Sequence, residues 1–213
     1  MEELFYQMNK HVKYFLKIWL FPAFAGIAFA VFLRANYFSF IRISGQSMSP
    51  NLVNNQVVLL RKNQNVSRGT VVVFNTNARQ RSDTGTTMAV LRIIGLPGDH
   101  IVFRKNKLQV NGKTVNQRFI SKQQQQATSM SIDSGWSLNS LSLNRNWPRS
   151  QQNILKVKKN TYFVLADNRS MPTDSRKYGL IKKSQIQGSV QYYSWNQRQR
   201  MRRINSWSRH FFE

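Results

Sequence analysis

From Tyr14 to Leu33 the chain runs YFLKIWLFPAFAGIAFAVFL, with Lys17 as its only charge. About twenty apolar residues is the length a helix needs to cross a hydrocarbon core. The stretch is apolar on every side rather than striped, which separates it from the amphipathic helix of a soluble domain. It predicts a transmembrane helix, with Lys17 near enough to one end to snorkel and Tyr14 and Trp19 suited to the interfacial layer. A cleaved secretory signal is the alternative, because Ala28-Phe29-Ala30 has the small-x-small spacing of a cleavage site. Lys10, Lys13 and Lys17 against Arg34 and Arg42 favour the N-terminus inside, so that everything after Leu33 lies outside the cytoplasm.

Beyond the span the pattern changes to short runs rich in Val, Ile, Phe and Tyr. Val57 to Leu60, Thr70 to Phe74, Val90 to Ile94, Ile101 to Val110, Tyr162 to Leu165 and Ile186 to Trp195 read as strands. Asn111-Gly112 tolerates positive φ and predicts a hairpin between Ile101–Val110 and Lys113–Phe119. Between Ser121 and Gln152 the chain is rich in Gln, Ser and Asn and has no clear period, which predicts an insertion or lid outside the core. The expected organisation is a short cytoplasmic segment (1–13), an anchor (14–33), a mainly β, antiparallel-sheet domain (34–197) interrupted around 121–152, and a basic aromatic tail (198–213).

Charge narrows the partners. Lys plus Arg number 32 against 8 acidic residues, a formal charge of +24, so the folded part presents a positive field. Anionic lipid, wall polyanions and nucleic acid all fit that field. Arg198, Arg200, Arg202, Arg203 and Arg209 interleave with Trp207, Phe211 and Phe212, and this tail reads as an amphipathic segment on anionic lipid or as a nucleic-acid contact. The upstream anchor favours lipid, and no nucleic-acid partner is expected. With no cysteine, disulfides, thiolate catalysis and Cys-based zinc sites are excluded. His11, His100 and His210 lie far apart without ligand spacing, so neither metal nor cofactor is expected.

Three segments carry candidate chemistry. Ser44-Gly45-Gln46-Ser47-Met48-Ser49-Pro50-Asn51-Leu52 follows the span by about a dozen residues and precedes the first clear strand. A serine there can sit on a tight turn, with Gly45 allowing close backbone approach and Pro50 fixing the exit. Alone, the segment reads equally as an ordinary serine-rich loop. Arg92-Ile93-Ile94-Gly95-Leu96-Pro97-Gly98-Asp99 is a strand running into a Gly-Pro-Gly turn. Ala166-Asp167-Asn168-Arg169, with Thr173-Asp174-Ser175-Arg176 and Gly179, is a dense polar turn after another strand.

In this order, and with Ser47-Met48-x-Pro50 leading, the segments resemble the signature boxes of type I signal peptidases; a C-terminal strand ending in Tyr193 and Trp195 is similar too. The resemblance implies a membrane-anchored antiparallel β fold of the signal-peptidase type that cleaves signal peptides from exported preproteins. It implies Ser47 as nucleophile with its own N–H in the oxyanion hole, and Asp174 paired with Arg176 to hold the catalytic turn. Gly45, Met48, Pro50, Arg92, Asp167, Arg169 and Ser175 fall on supporting positions of the same boxes.

Two positions depart from the pattern together. The family's lysine base directly precedes the Arg of the strand before Gly-Leu-Pro-Gly-Asp, and Leu91 stands there; Arg92 pins the register and cannot substitute, being always protonated and on the opposite face of a strand. The serine that orients that lysine stands three residues after the Arg of the last box, and Pro172 occupies its place. Ala166 replaces the Gly that opens that box. His100, beside Asp99, is the remaining candidate for a replacement base. The readings are a signal peptidase with an unrecognised base, or a non-catalytic paralogue that binds or helps assemble exported proteins. A self-cleaving repressor-type peptidase ranks last, since it too needs a lysine and has no span.

Overall fold

The computed structural model describes residues 12, 14–62, 65–76, 88–129, 135–143, 147–171, 173–191, 204 and 206–213. The chain divides into two compact units, Met1–Ser39 and Phe40–Glu213. In the first, a helix of 21 residues, Leu16–Asn36, begins as a π turn over Leu16–Leu20 and continues as α-helix, none of it buried against protein. It is long and apolar enough to cross a membrane. Pro22 lies just after the π turn passes into α-helix, a local adjustment of the kind that accommodates a proline whose N–H cannot join the ladder.

The second unit is built on two sheets. The larger has the order β1 (Phe38–Arg42), β2 (Val57–Arg61), β11 (Ile186–Gln191), β3 (Val71–Asn75), β4 (Met88–Gly95), β9 (Thr161–Leu165), β10 (Ile181–Lys182). The smaller has the order β7 (Lys113–Thr114), β6 (Lys107–Val110), β5 (Ile101–Arg104), β8 (Trp136–Ser137). The ladders from β2 through β11, β3, β4 and β9 to β10 are antiparallel, as are those joining β5 to β6 and β8 and β6 to β7.

Both faces of the central strands are covered, which is why they read as unbroken apolar runs. Val71 and Val73 of β3 join Ile43, Met48, Leu52, Val58 and Leu60 on one face; Val72 and Phe74 join Leu91, Ile93, Tyr162, Val164 and Ala166 on the other. A third cluster around Phe103, Leu108, Trp136, Trp147 and Phe163 lies where the smaller sheet meets β9.

Three expectations need correction. The run Ile101–Val110 is two strands, because Lys105 and Asn106 both adopt positive φ (49° and 57°) and turn the chain before Asn111-Gly112 turns it again. β7 then ends at Thr114, and Val115 bridges to Phe212. The 121–152 segment is not a lid outside the core, since Trp136, Leu138, Leu141 and Trp147 enter the third cluster. Its few apolar residues are spaced by short helices, Lys122–Gln126 and Leu138–Ser142, too brief to show a period.

The third correction concerns the tail, whose aromatics the sequence assigns to an outside partner; the described part, 204 and 206–213, instead folds inward. Ile204 and Phe211 are buried, Phe212 packs on the third cluster, and Trp207 meets Phe119 at 5.9 Å. Asn116 N donates to the Phe211 carbonyl and Glu213 N to that of Thr114. Arg198, Arg200, Arg202 and Arg203, like Tyr193 and Trp195, lie outside the described residues.

The turn after Gly95 is held by Asp99, which accepts from the Leu96 amide, from Asn111 and doubly from Arg68. Burial alone pushes the Asp99 carboxyl up, but the bonds from Arg68, the Leu96 amide and Asn111 together outweigh it and hold it below the ordinary 3.8. A lowered carboxylate pKa contributes stability that is present above about pH 4 and lost as pH falls through the folded value. Asp99→Asn is therefore expected to be less stable than the parent at pH 7, the gap closing below about pH 4. Urea midpoints measured from pH 7 to pH 3 check this; a gap that stays constant would refute it.

Candidate active site

The serine-bearing segment is a compact turn rather than a loose loop. Ser49 N donates to the Gln46 carbonyl at 3.0 Å and Leu52 N to that of Met48 at 2.9 Å, while Gly45 enters at φ 90° and its N–H is taken by Asn54 Oδ1. The Ser49–Pro50 peptide is cis. Met48 and Leu52 are buried in the layer on β2 and β3, so they pin the turn and leave Ser47 half-buried between them and solvent. Gly45 is needed at its positive φ, where a side chain would be strained.

The polar loop after β9 meets this turn directly. Asn168 N donates to the Ser47 carbonyl at 2.9 Å, and Asn168 Nδ2 lies 3.4 Å from the Gln46 carbonyl. The Ser47 hydroxyl has a single hydrogen-bond partner among the described residues, the Thr173 hydroxyl at 3.4 Å. The Ser47 N–H has no protein acceptor among them.

Beneath the loop lie three buried arginines and two buried aspartates. Arg92, fully buried, clamps Asp167 through Nε and Nη2 at 2.9 and 2.7 Å, and spends Nη1 on the carbonyls of Gly69 and Ile204. Its guanidinium lies 4.3 Å over the Phe119 ring. Asn51 donates to Asp167 and to the Phe119 carbonyl at 2.8 Å each, tying the serine turn to the same carboxylate. Asp174 pairs with Arg176 at 3.0 and 2.9 Å and also accepts from the amides of Ala166 and Arg176. Such charges are tolerable in the interior because each carboxylate is paired and its remaining lone pairs are satisfied. Ser175 Oγ accepts from the Val164 amide at 2.9 Å and so fastens the loop to β9.

Arg169 is the odd charge. It donates to the Ala166 carbonyl, Gln117 and Thr128, but its buried Nη2 has no partner among the described residues. Burial, helped by the charges of Arg176 and Arg92 and opposed by those of Asp167 and Asp174, pushes the guanidinium down to about 9, so it stays protonated at neutral pH.

Leu91 is 2% exposed and sits across from Val72 on β3, in the apolar layer with Val164 and Ala166. Arg92 faces the other way, as strand alternation requires. His100 is exposed; its backbone N is held by Asn111 Oδ1, and its ring makes no bond to Ser47. Pro172 lies outside the described residues.

Gln124 stands in the sequence as one member of a polar run, yet its Oε1 accepts from the Arg169 amide at 2.6 Å and its Nε2 reaches Asn168 Oδ1 at 3.3 Å, clamping the loop that touches Ser47. The Ile204 carbonyl, which completes Arg92, is equally hidden in the sequence. A Gln or a backbone carbonyl has no motif of its own, so only the long-range fold reveals either.

A profile of the family described as signal peptidase, peptidase S26, matches residues 16–195. Signal peptidase I of Bacillus caldolyticus is 28% identical over 178 residues, 82% of this chain and 88% of that protein. Signal peptidase IB of Staphylococcus aureus (strain Mu50) is 30% identical over 157 residues, 72% of this chain and 75% of that one. A crystal structure of a signal peptidase I from Enterococcus faecalis V583 superposes with a TM-score of 0.45 at 25% identity, over 59% of this chain and 97% of that one. A match over nearly the whole β unit, serine turn and charged loop included, means that this chain belongs to the signal peptidase family, peptidase S26.

Proposed function

We propose that this protein binds the signal peptides of exported preproteins at the outer face of a cell membrane, and that Ser47 hydrolyses them slowly because no base serves it. One observation carries the reading: the serine turn is retained while position 91, buried in the apolar layer with Val72 and Val164, carries a leucine. The Ser47 N–H is available to an oxyanion. Its hydroxyl meets the Thr173 hydroxyl, which is no acceptor for its proton near neutral pH. Leu91 lies in an apolar layer and offers nothing that can take a proton.

In this reading the signal peptide lies as an added strand, its main chain paired and its small side chains in shallow pockets. In this reading the N-terminus is cytoplasmic, the helix Leu16–Asn36 is the anchor, and the excess of Lys and Arg favours an anionic membrane surface. The chain then acts as a binding or assembly partner of exported proteins. The competing reading, a working peptidase whose base comes from another group or another molecule, is favoured by the intact turn and its free N–H.

Full-length protein in neutral detergent, titrated with a fluorescent signal peptide, separates the two. Wild type and Ser47→Ala are expected to bind within about twofold of one another, a surface-level change in energy, and to return the peptide uncut. Absence of binding, or rapid cleavage that disappears with Ser47, would sink the proposal.

A further inference from the structure

Three described aspartates of the folded unit are spent inside it. Asp99, Asp167 and Asp174 are buried and bridged to Arg68, Arg92 and Arg176. Glu213 is the only exposed carboxylate among the described residues. Among the described residues the exposed lysines are thus not interleaved with acids, as those of an ordinary solvated face are.

Five of them converge at the β10 edge of the larger sheet. The ladder sets Lys182 opposite Thr161, and Lys183 N donates to the Asn160 carbonyl at 2.8 Å. That brings the segment carrying Lys156, Lys158 and Lys159 alongside the end of β10, with all five side chains exposed. Lys158 Nζ reaches the Ser150 carbonyl, and none of the five meets a carboxylate among the described residues. Lysine on an edge strand also discourages strand addition, but that role does not account for the three in the preceding segment.

Lys183 forms part of the rim of a cleft of about 500 Å³. Its floor is apolar, from Val66 and Ile186, and the Asn65 and Gln187 amides and Tyr162 line it. Burial pushes the Tyr162 phenol up, so its hydroxyl remains a donor at neutral pH.

We propose that this lysine cluster and cleft are a docking site for a linear polyol-phosphate polymer, with successive phosphodiesters along Lys156–Lys159 and Lys182–Lys183 and a polyol unit against the amides of the cleft. The charges follow a turn and a strand edge, a line rather than a plane, which suits a chain better than a bilayer. Nucleic acid, though likewise a phosphodiester chain, gains much of its affinity from stacking on exposed aromatics, and the one aromatic ring of this site, that of Tyr162, is 8% exposed.

The test uses the full chain in zwitterionic nanodiscs with poly(glycerol phosphate) as probe, read by fluorescence anisotropy and by amide hydrogen exchange. Binding is expected to protect residues 155–160 and 181–185. The triple variant Lys159→Gln/Lys182→Gln/Lys183→Gln is expected to lower the slope of log Kd against log salt by about 2, since each phosphate left without its lysine takes about 0.7 from the slope. The same charge change on the β5–β6 hairpin, Arg104→Gln/Lys105→Gln/Lys107→Gln, is expected to leave the slope within about 0.5 of wild type. Equal loss in both triples, no binding at all, or tighter binding of single-stranded DNA of matched charge would overturn the proposal. Protection of the same segments by anionic nanodiscs without polymer would overturn it in favour of lipid. Signal-peptide binding is measured separately and bears on none of these outcomes.

Discussion

Given a preprotein substrate in neutral detergent, the purified protein is expected to cleave about 10⁴- to 10⁶-fold more slowly than a family member whose lysine is in place, the usual cost of deleting one member of a catalytic unit. Ser47→Ala is expected to remove that residual rate, since the slow attack is still made by the Ser47 oxygen. Leu91→Lys is the constructive half of the test. Position 91 is enclosed by Val72, Val164 and Ala166, so a lysine there is desolvated and its amine held neutral, the form that can accept a proton. The rescue is expected to be about 10²-fold, the lower end of what a positioned base contributes, because position 172 is Pro and has no hydroxyl to orient the amine. Adding Pro172→Ser is expected to raise it further. Robust serine-dependent cleavage by the wild type would mean that another group serves Ser47.

Asp167→Ala is expected to be the most destabilising single change at the site. It strips the bidentate partner from a fully buried Arg92 and an acceptor from Asn51. An uncompensated buried charge costs about 3–5 kcal/mol, which for a domain of this size lowers Tm by roughly 6–20 °C. Replacing both partners by apolar residues, Arg92→Met/Asp167→Leu, is expected to recover most of that loss, because the penalty lies in the unpaired charge rather than in the missing bridge. Thermal and urea unfolding of the two singles and the double give the coupling directly. A double variant no more stable than Asp167→Ala would show that the pair holds the loop by geometry that apolar side chains cannot replace.

Much of the fold is legible in the sequence because it rests on local chemistry. A twenty-residue apolar run cannot be a striped helix, and the strands of the larger sheet, apolar on both faces, stand out as β-branched runs bounded by turns. The turn at Asn111-Gly112 is legible for the same reason, while that at Lys105-Asn106 is not, since Lys at positive φ is no turn signal. The segment 121–152 misleads because Trp136, Leu138, Leu141 and Trp147 are too few and too widely spaced to outweigh the polar residues around them. The tail misleads because an aromatic beside an arginine reads alike whether it packs on lipid or on Phe119.

Residue type and near neighbours suffice for the apolar span, the β character of the rest and the serine-bearing turn. Other features emerge only from the folded chain: the last box meets the serine turn through Asn168, Gln124 clamps that loop, Ile204 closes the shell of Arg92, and Asp99, Asp167 and Asp174 turn inward while lysines gather at one sheet edge. Burial and long-range hydrogen bonding depend on which distant segments the fold brings together, and no local pattern encodes that.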